Sequence, residues 1–339
     1  MTEGIAAAEV TAWLEAHVPA LTRPVEYKLI AGGHSNLTYL CTDAEGRRYV
    51  LRRPPLGHVL ESAHDMGREY RVIHALANSG VPVAPTHGLC EDPAVNGSAF
   101  FVMDFIDGVV PHDSSVAATL PMAERMPLGL DVAEVLARLH KLDPDAVGLG
   151  DLGRKENYIA RQLKRWAQQW ENSKTEPVPE MEDALRLLGE RMPEQKAAAI
   201  VHGDYRLGNM IVGDGRVRAL LDWELCTLGD PLADLGYIIN WWLAPEDRHG
   251  DVDDTAPTTA GGFPSREAML ARYAELTGFD VSDINYYRAF SHWRLAAIRQ
   301  GVYKRYLVGA MGAEHNFDLE GYRDIIQRKA ETALEFLER

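Results

Sequence analysis

The sequence predicts an α+β chain in two lobes: a small antiparallel sheet with a leading helix over 1–106, then a mainly helical body over 107–339. Three observations predict it. Short β-rich runs separated by Gly, Pro and Asp turns fill the segment before Asp107. Beyond it, long stretches carry apolar residues at helical spacing. One stretch, IVHGDYRLGNMIVGDGRVRALLDWELCTLGDPLADL at 200–235, interrupts the helices with a hairpin pattern and a set of polar residues that the hairpin would gather.

The opening run MTEGIAAAEVTAWLEAHV has acids and no basic leader, so it reads as an amphipathic helix and not as a signal peptide. Strands are expected over 25–30, 37–42 and 47–53, the third stopped by Pro54-Pro55. Met66, Tyr70, Ile73, Ala75 and Leu76 fall at helical spacing and predict a helix over 62–77, ended by Gly80 and Pro82. Two more strands, 85–90 and 98–106, flank a turn at 92–97. After Asp107-Gly108, helices are expected over 118–141, 157–169, 181–191, 265–277, 281–307 and 319–337. Residues 174–179 read as a polar loop, and 245–264, acidic and rich in Gly, Pro and Thr, as an exposed one.

The 339 residues are 46% hydrophobic and 25% charged, which suits a globular protein of two lobes. A formal charge of −15, with no clustered Lys/Arg stripe, makes nucleic acid a poor partner. The longest apolar run, 235–244, is well short of the roughly 20 residues that cross a bilayer, so no membrane is expected. Cys41, Cys90 and Cys226 are odd in number and far apart, fitting neither a disulfide framework nor a CxxC metal site; a reducing cytoplasm is the expected compartment. Oligomeric state is not encoded.

Within 200–235, two β-rich arms at 209–212 and 217–221 flank Gly213-Asp214-Gly215, a tight-turn signal. Folding that hairpin brings Asp204, Asn209 and Asp222 toward one end. A carboxylate on a short loop can serve as general base for a hydroxyl, which nominates Asp204. The neutral oxygen of Asn209 and the anionic ones of Asp222 suit Mg²⁺, a hard cation. The plainer alternative is a polar turn that only caps a hairpin, and His202 reads as a structural loop residue.

The stretches VHGDYRLGNMIV and LDWELCTLGDPLADLGY, supported by YVLRRPP, MDFIDG and FSHWRLAAIRQGVYKR, resemble the aminoglycoside phosphotransferase family, whose fold is similar to that of protein kinases. Within it, the likeness is to the kinase-like domains attached to some acyl-CoA dehydrogenases, over nearly the whole chain. The resemblance implies a protein-kinase-like two-lobed fold with Asp204 as catalytic base and Asn209 and Asp222 holding Mg²⁺. It implies that Asp230 and Asp234 brace the catalytic loop from a helix start. Gly33 and Ser35, in a loop that could equally be a plain hairpin turn, would cover the phosphates of ATP. Arg52 stands where protein kinases have a strand lysine, a replacement that is not conservative, and Glu69 would be its partner or else a solvated helix-face acid. Backbone groups from Asp104 to Ile106 would meet the adenine edge, with Met103 behind.

The expected activity is therefore an ATP-dependent, Mg²⁺-requiring phosphotransfer to a hydroxyl of a small molecule, with a hydroxyacyl-CoA or hydroxy acid favoured as acceptor. An aminoglycoside-type antibiotic phosphotransferase and a nucleotide-binding pseudoenzyme are the alternatives. Tyr158, Arg161, Arg165, Trp166, His292, Arg294 and Arg299 are candidates to line the acceptor side, or else to pair between helices. A non-haem iron oxygenase using His202, Asp204 and His292 is a further reading, and it requires a β-barrel.

Overall fold

The computed structural model describes residues 2–32, 36–56, 65–244, 247, 256–309 and 318–338. Helix α1 (Ala7–His17) leads into strands β1 (Glu26–Ala31), β2 (Leu37–Thr42) and β3 (Arg48–Arg53), then α2 (Met66–Leu76), β4 (Thr86–Cys90), the one-turn α3 (Pro93–Asn96) and β5 (Phe100–Asp104). The five strands form one antiparallel sheet in the order β1-β2-β3-β5-β4.

Register decides which residues share a face. Lys28, Leu40, Val50 and Met103 are successive cross-strand partners, and so are Thr38, Arg52 and Phe101 one pleat along. Side chains alternate with period two, so both rows lie on the face that α2 and the second lobe cover. Residues of the other face, Tyr39, Leu51 and Val102, pack with Val10 and Leu14 of α1 in a separate small core. Arg52 and Arg53, adjacent in sequence, therefore part company. Arg53 is buried on the α1 side and donates to the carbonyls of Gly4 and Asn96.

The second lobe continues with α4 (Ser114–Ala117), α5 (Met122–Lys141), α6 (Tyr158–Ser173), α7 (Pro179–Glu190) and strand β6 (Ala199–Val201). Then come the hairpin β7 (Met210–Gly213) and β8 (Arg216–Leu220), strand β9 (Thr227–Gly229), and helices α8 (Leu232–Asn240), α9 (Arg266–Thr277), α10 (Ile284–Leu307) and α11 (Leu319–Glu338). The antiparallel-sheet lobe and the helical lobe are thus as the sequence predicts. The hairpin turn has Asp214 and Gly215 both at positive φ, 53° and 69°, the conformation that an Asp-Gly pair favours in a two-residue hairpin loop. Val109 pairs with Val212, so the chain leaving the first sheet is stitched to this hairpin at once.

Several boundaries differ from expectation for local reasons. The helix expected from 118 starts at Met122, because Leu120 precedes Pro121 and is driven out of the helical region; α4 before it is capped by the Asp113 side chain on Val116 N. The turn at 92–97 holds α3, capped by Asp92 with Pro93 in its first turn. Most of the acidic part of 245–264 lies outside the described residues, and the rest is not an exposed loop. Ala256 and Thr258 are buried, and Pro264 O accepts from the Trp242 indole at 2.8 Å. Among the described residues no helix is long and apolar enough to cross a membrane, and the three cysteines are free and buried.

Candidate active site

Two short ribbons set the geometry. β6 pairs antiparallel with β9, so the end of β6 that runs into His202-Gly203-Asp204 lies beside the start of β9, which follows Asp222 by five residues. In the hairpin, Met210 faces Leu220, and Leu221 N donates to Asn209 O at 2.9 Å. The catalytic-loop and metal-loop candidates thus leave both ribbons at neighbouring ends.

Asp204 is held from several sides. Asn209 Nδ2 donates to its Oδ2 at 2.7 Å and to its main-chain O at 2.9 Å, the Tyr237 hydroxyl donates to Oδ1 at 2.5 Å, and Arg206 Nε lies 3.4 Å from the carboxylate. Burial alone would push this carboxyl up. Arg206, Tyr237, His202 and Asn209 together outweigh burial and hold it below the ordinary carboxylate value. Burial and the Asp204 charge push Tyr237 well above an ordinary phenol, so it remains a donor.

The loop beneath is fixed by Asp234, in the first turn of α8, whose carboxylate accepts from His202 N at 2.6 Å and Gly203 N at 2.9 Å. Asp234 thus braces the loop, whereas Asp230 caps Leu232 N and takes the Tyr287 hydroxyl of α10. His202 uses both ring nitrogens: one lies 2.9 Å from Leu221 O and the other accepts from Asp204 N at 3.3 Å. The first must be the N–H, since a carbonyl only accepts. No ring lone pair is left for iron, His292 is buried in α10 against Phe336, and the strands among the described residues form no β-barrel around either. The oxygenase reading is therefore set aside.

From the sheet lobe, Arg52 reaches across. Its Nε is 3.0 Å from Glu69 Oε1 and its Nη2 donates to Asp222 Oδ1 at 3.1 Å. The Nε contact is a close charge pair whose angle falls outside hydrogen-bond geometry. Glu69 is 2% exposed, and burial pushes its carboxyl up to about 7 against the opposing pull of Arg52, with Asp222 and Glu224 adding to the rise. Asp222 takes a left-handed conformation, φ 64°, which turns the chain sharply out of β8.

Asn209 and Asp222 offer a chemically suitable pair for Mg²⁺. The Asn209 NH₂ is committed to Asp204, which leaves its amide oxygen as the free end, and the Asp222 carboxylate is one-third exposed. Both are hard oxygen donors, and two protein ligands suit an ion that completes its shell with phosphate and water. At the sheet edge, Asp104 N and Phe105 N are engaged with Pro85 O and Arg48 O, while Ile106 N takes no backbone partner among the described residues. Gly33 and Ser35 lie outside the described residues.

Of the helical residues expected along the acceptor side, Arg294 reaches the candidate catalytic loop, donating to Gly203 O at 3.0 Å. The others have contacts elsewhere. Tyr158 and Trp166 are buried, Arg161 donates to Arg154 O, Arg165 covers Trp166, and Arg299 covers Tyr322. Sequence reasoning missed Tyr237 and Arg206. Tyr237 was recoverable: it lies three residues after Asp234 on α8, hence on the same helix face.

A sheet lobe and a helical lobe meeting at such loops define a protein-kinase-like two-lobed fold. The model of the APH phosphotransferase enzyme family matches residues 26–276, and the chain belongs to that family. Mouse acyl-CoA dehydrogenase family member 10 is 38% identical over 298 residues, which is 85% of this chain but 27% of that protein; the chain thus spans about a quarter of that relative. A solved Ralstonia eutropha chain classed with the aminoglycoside phosphotransferases is 35% identical, with a TM-score of 0.81 over 98% of both chains. A thermostable APH(4)-Ia variant, solved with AMP-PNP and hygromycin B, shares the fold at TM-score 0.62 and 18% identity, covering 97% of each chain.

Proposed function

We propose that the protein transfers the γ-phosphoryl group of ATP to a hydroxyl of a small molecule, with 1–106 as the nucleotide lobe and 107–339 carrying the catalytic loop and acceptor site. The observation that carries this reading is Asp204, an ionised, partly buried carboxylate tied to Asn209, beside the loop where Arg52 from the other lobe meets Asp222. Asp204 accepts the proton as the acceptor oxygen bonds to the γ-phosphorus and the bond to the bridging oxygen breaks, releasing ADP. Arg52, oriented by Glu69, holds the inner phosphates, and the main chain of Asp104–Ile106 meets the adenine under the Leu40, Val50 and Met103 row. Asn209 and Asp222 would hold Mg²⁺, which offsets charge on the transferring group. The Gly33 and Ser35 loop is assigned to phosphate cover.

For the acceptor, we favour a hydroxy acid or hydroxyacyl-CoA over an aminoglycoside. Arg206 stands beside Asp204, one-third exposed, with its guanidinium 5.7 Å from the Trp241 ring. It shares a small recess with His112, Gly208 and Trp242. A cation at the mouth of the site suits a carboxylate or phosphate on the acceptor and opposes a polycationic one. The kinship with an acyl-CoA dehydrogenase family member supports the same choice.

The test is ATP turnover with hydroxy acids, hydroxyacyl-CoAs, choline and aminoglycosides, alongside Asp204→Asn. Asp204→Asn is expected to lose roughly 100-fold or more in rate. An unchanged rate removes Asp204 from its role, and turnover with aminoglycosides alone overturns the acceptor. Nucleotide binding without turnover on any acceptor marks a pseudoenzyme.

A further inference from the structure

Arg52 is not alone in crossing between the lobes near the site. Arg68, on α2 in the position before Glu69, does so too. Its Nη2 donates to Leu152 O at 2.8 Å and to Cys226 O at 2.9 Å, spanning 84 and 158 residues of sequence. Leu152 and Cys226 are both buried, and the Cys226 carbonyl sits at a junction. Four residues upstream is Asp222; one residue downstream begins β9, whose Thr227 pairs with Val201 at the entry to His202. The segment is held rigidly there, since Cys226 N donates to Trp223 O, and a Cβ on Gly153 would meet Thr227 Oγ1 at 2.4 Å. One side chain of the sheet lobe therefore grips the point where the catalytic and metal segments join.

We propose that Arg68 is a positioning residue for phosphoryl transfer: it fastens α2, and through Glu69 the Arg52 guanidinium, at a fixed separation from the Asp222 segment. Arg71, one turn on, also reaches the second lobe, pairing with Asp151 and Gly148 O. Its pair is exposed on both sides, 45% and 74%, and surface pairs of this kind contribute little. Arg68 differs because its two acceptors are main-chain carbonyls, fixed in place and buried. The inference rests on the phosphotransferase reading, and its test is arranged so that the two can fail separately.

The experiment compares Arg68→Met, Arg68→Lys and Arg71→Met in the full chain. Hydrogen exchange at the amides of 69–73 needs no substrate: Arg68→Met is expected to speed it about tenfold or more while Val50 and Leu51 in β3 stay protected. With Mg-ATP and an accepted hydroxyl compound, kcat should fall about 10- to 100-fold with a smaller change in KM for ATP, as for other residues that orient a contacting group. Arg68→Lys should recover part of the loss, because an ammonium can donate to the same carbonyls without the planar fork. In a Glu69→Gln background, Arg68→Met should cost little more, since both act through Arg52. Unchanged exchange in Arg68→Met, or losses that simply multiply in the double variant, overturns the proposal. Failure of the parent protein to bind Mg-ATP overturns the phosphotransferase reading instead, and the exchange result still decides whether Arg68 fastens α2.

Discussion

Replacing Tyr237 by Phe isolates what keeps the proposed base ionised. The substitution removes a buried hydroxyl 2.5 Å from Asp204 Oδ1 and leaves the ring, its packing and the other ligands of the carboxylate in place. A hydrogen bond to a charged group contributes roughly 1.5–3 kcal/mol. Losing that donor removes support for the charged form, so the Asp204 pKa should rise in the variant. In the parent protein the folded pKa lies below that of an unfolded Asp, so the surroundings of Asp204 stabilise the fold above the unfolded value; that contribution disappears as pH falls through the folded pKa. Tyr237→Phe should therefore be less stable by about 1.5–3 kcal/mol near neutral pH. The gap should narrow as pH falls into the acid range, where the variant's Asp204 protonates before the parent's. Urea unfolding at a series of pH values measures it, and in turnover the acid limb of kcat/KM should move up as well. A stability gap that stays constant throughout the acid range, with an unmoved acid limb, would assign the loss to packing and refute the argument.

Other substitutions probe the supports. Asp234→Asn places an NH₂ or a weaker acceptor against His202 N and Gly203 N in a site that is 2% exposed; a loss of about 3 kcal/mol or more is expected in chemical unfolding. Gly203→Ala forces φ +87° on an L-residue and puts its Cβ 2.9 Å from Leu225 Cβ and O, which should cost about 1–3 kcal/mol. Because Asp204 follows directly, its turnover should fall on the order of 100-fold. Glu69 titrates near 7 in the folded chain, above its unfolded value, so its ionisation destabilises the fold progressively as pH rises between those values. Glu69→Gln should thus gain on the parent by about 2–3 kcal/mol between pH 5 and pH 8, read by unfolding at each pH, and a pH-independent difference would contradict the assignment.

Much of this was legible in the chain. A β-rich run bounded by turn signals gave β2 its ends, Leu37 to Thr42; the period-two pleat then buries Leu37, Tyr39 and Cys41 and sends Arg52 to the cleft and Arg53 away from it. Asp204, Asn209 and Asp222 were found from their spacing around a turn, because a hairpin converts spacing into proximity. What stayed hidden depends on distant parts of the chain. β6 and β9 have three residues each, too few to show a period, and exist through their mutual pairing. The left-handed Asp222 has only a weak local signature, since Asp tolerates positive φ without requiring it and no glycine follows to mark a turn. The arginines of α6 and α10 looked like cleft residues because polar positions on a helix do not reveal which neighbour they face. Arg206 was passed over although it lies within the central motif, because Trp241 and His112, which give it a setting, come from elsewhere in the fold.

The two small ribbons have a consequence for how this molecule can change. Asp204 and Asp222 are placed by main-chain hydrogen bonds, three rungs between β6 and β9 and the closing pair at Asn209 and Leu221. Main-chain bonds are indifferent to the side chains that hang from them. Arg206 and Trp241, the groups proposed to face the acceptor, hang from the edges of this frame, and their side chains take no part in those main-chain bonds. A lineage could exchange Trp241, or Arg206 at some cost to the ionisation of Asp204, and try new alcohols while the main-chain frame stayed put. The architecture separates heritable precision from heritable variety, and acceptor preference is the part left free to drift.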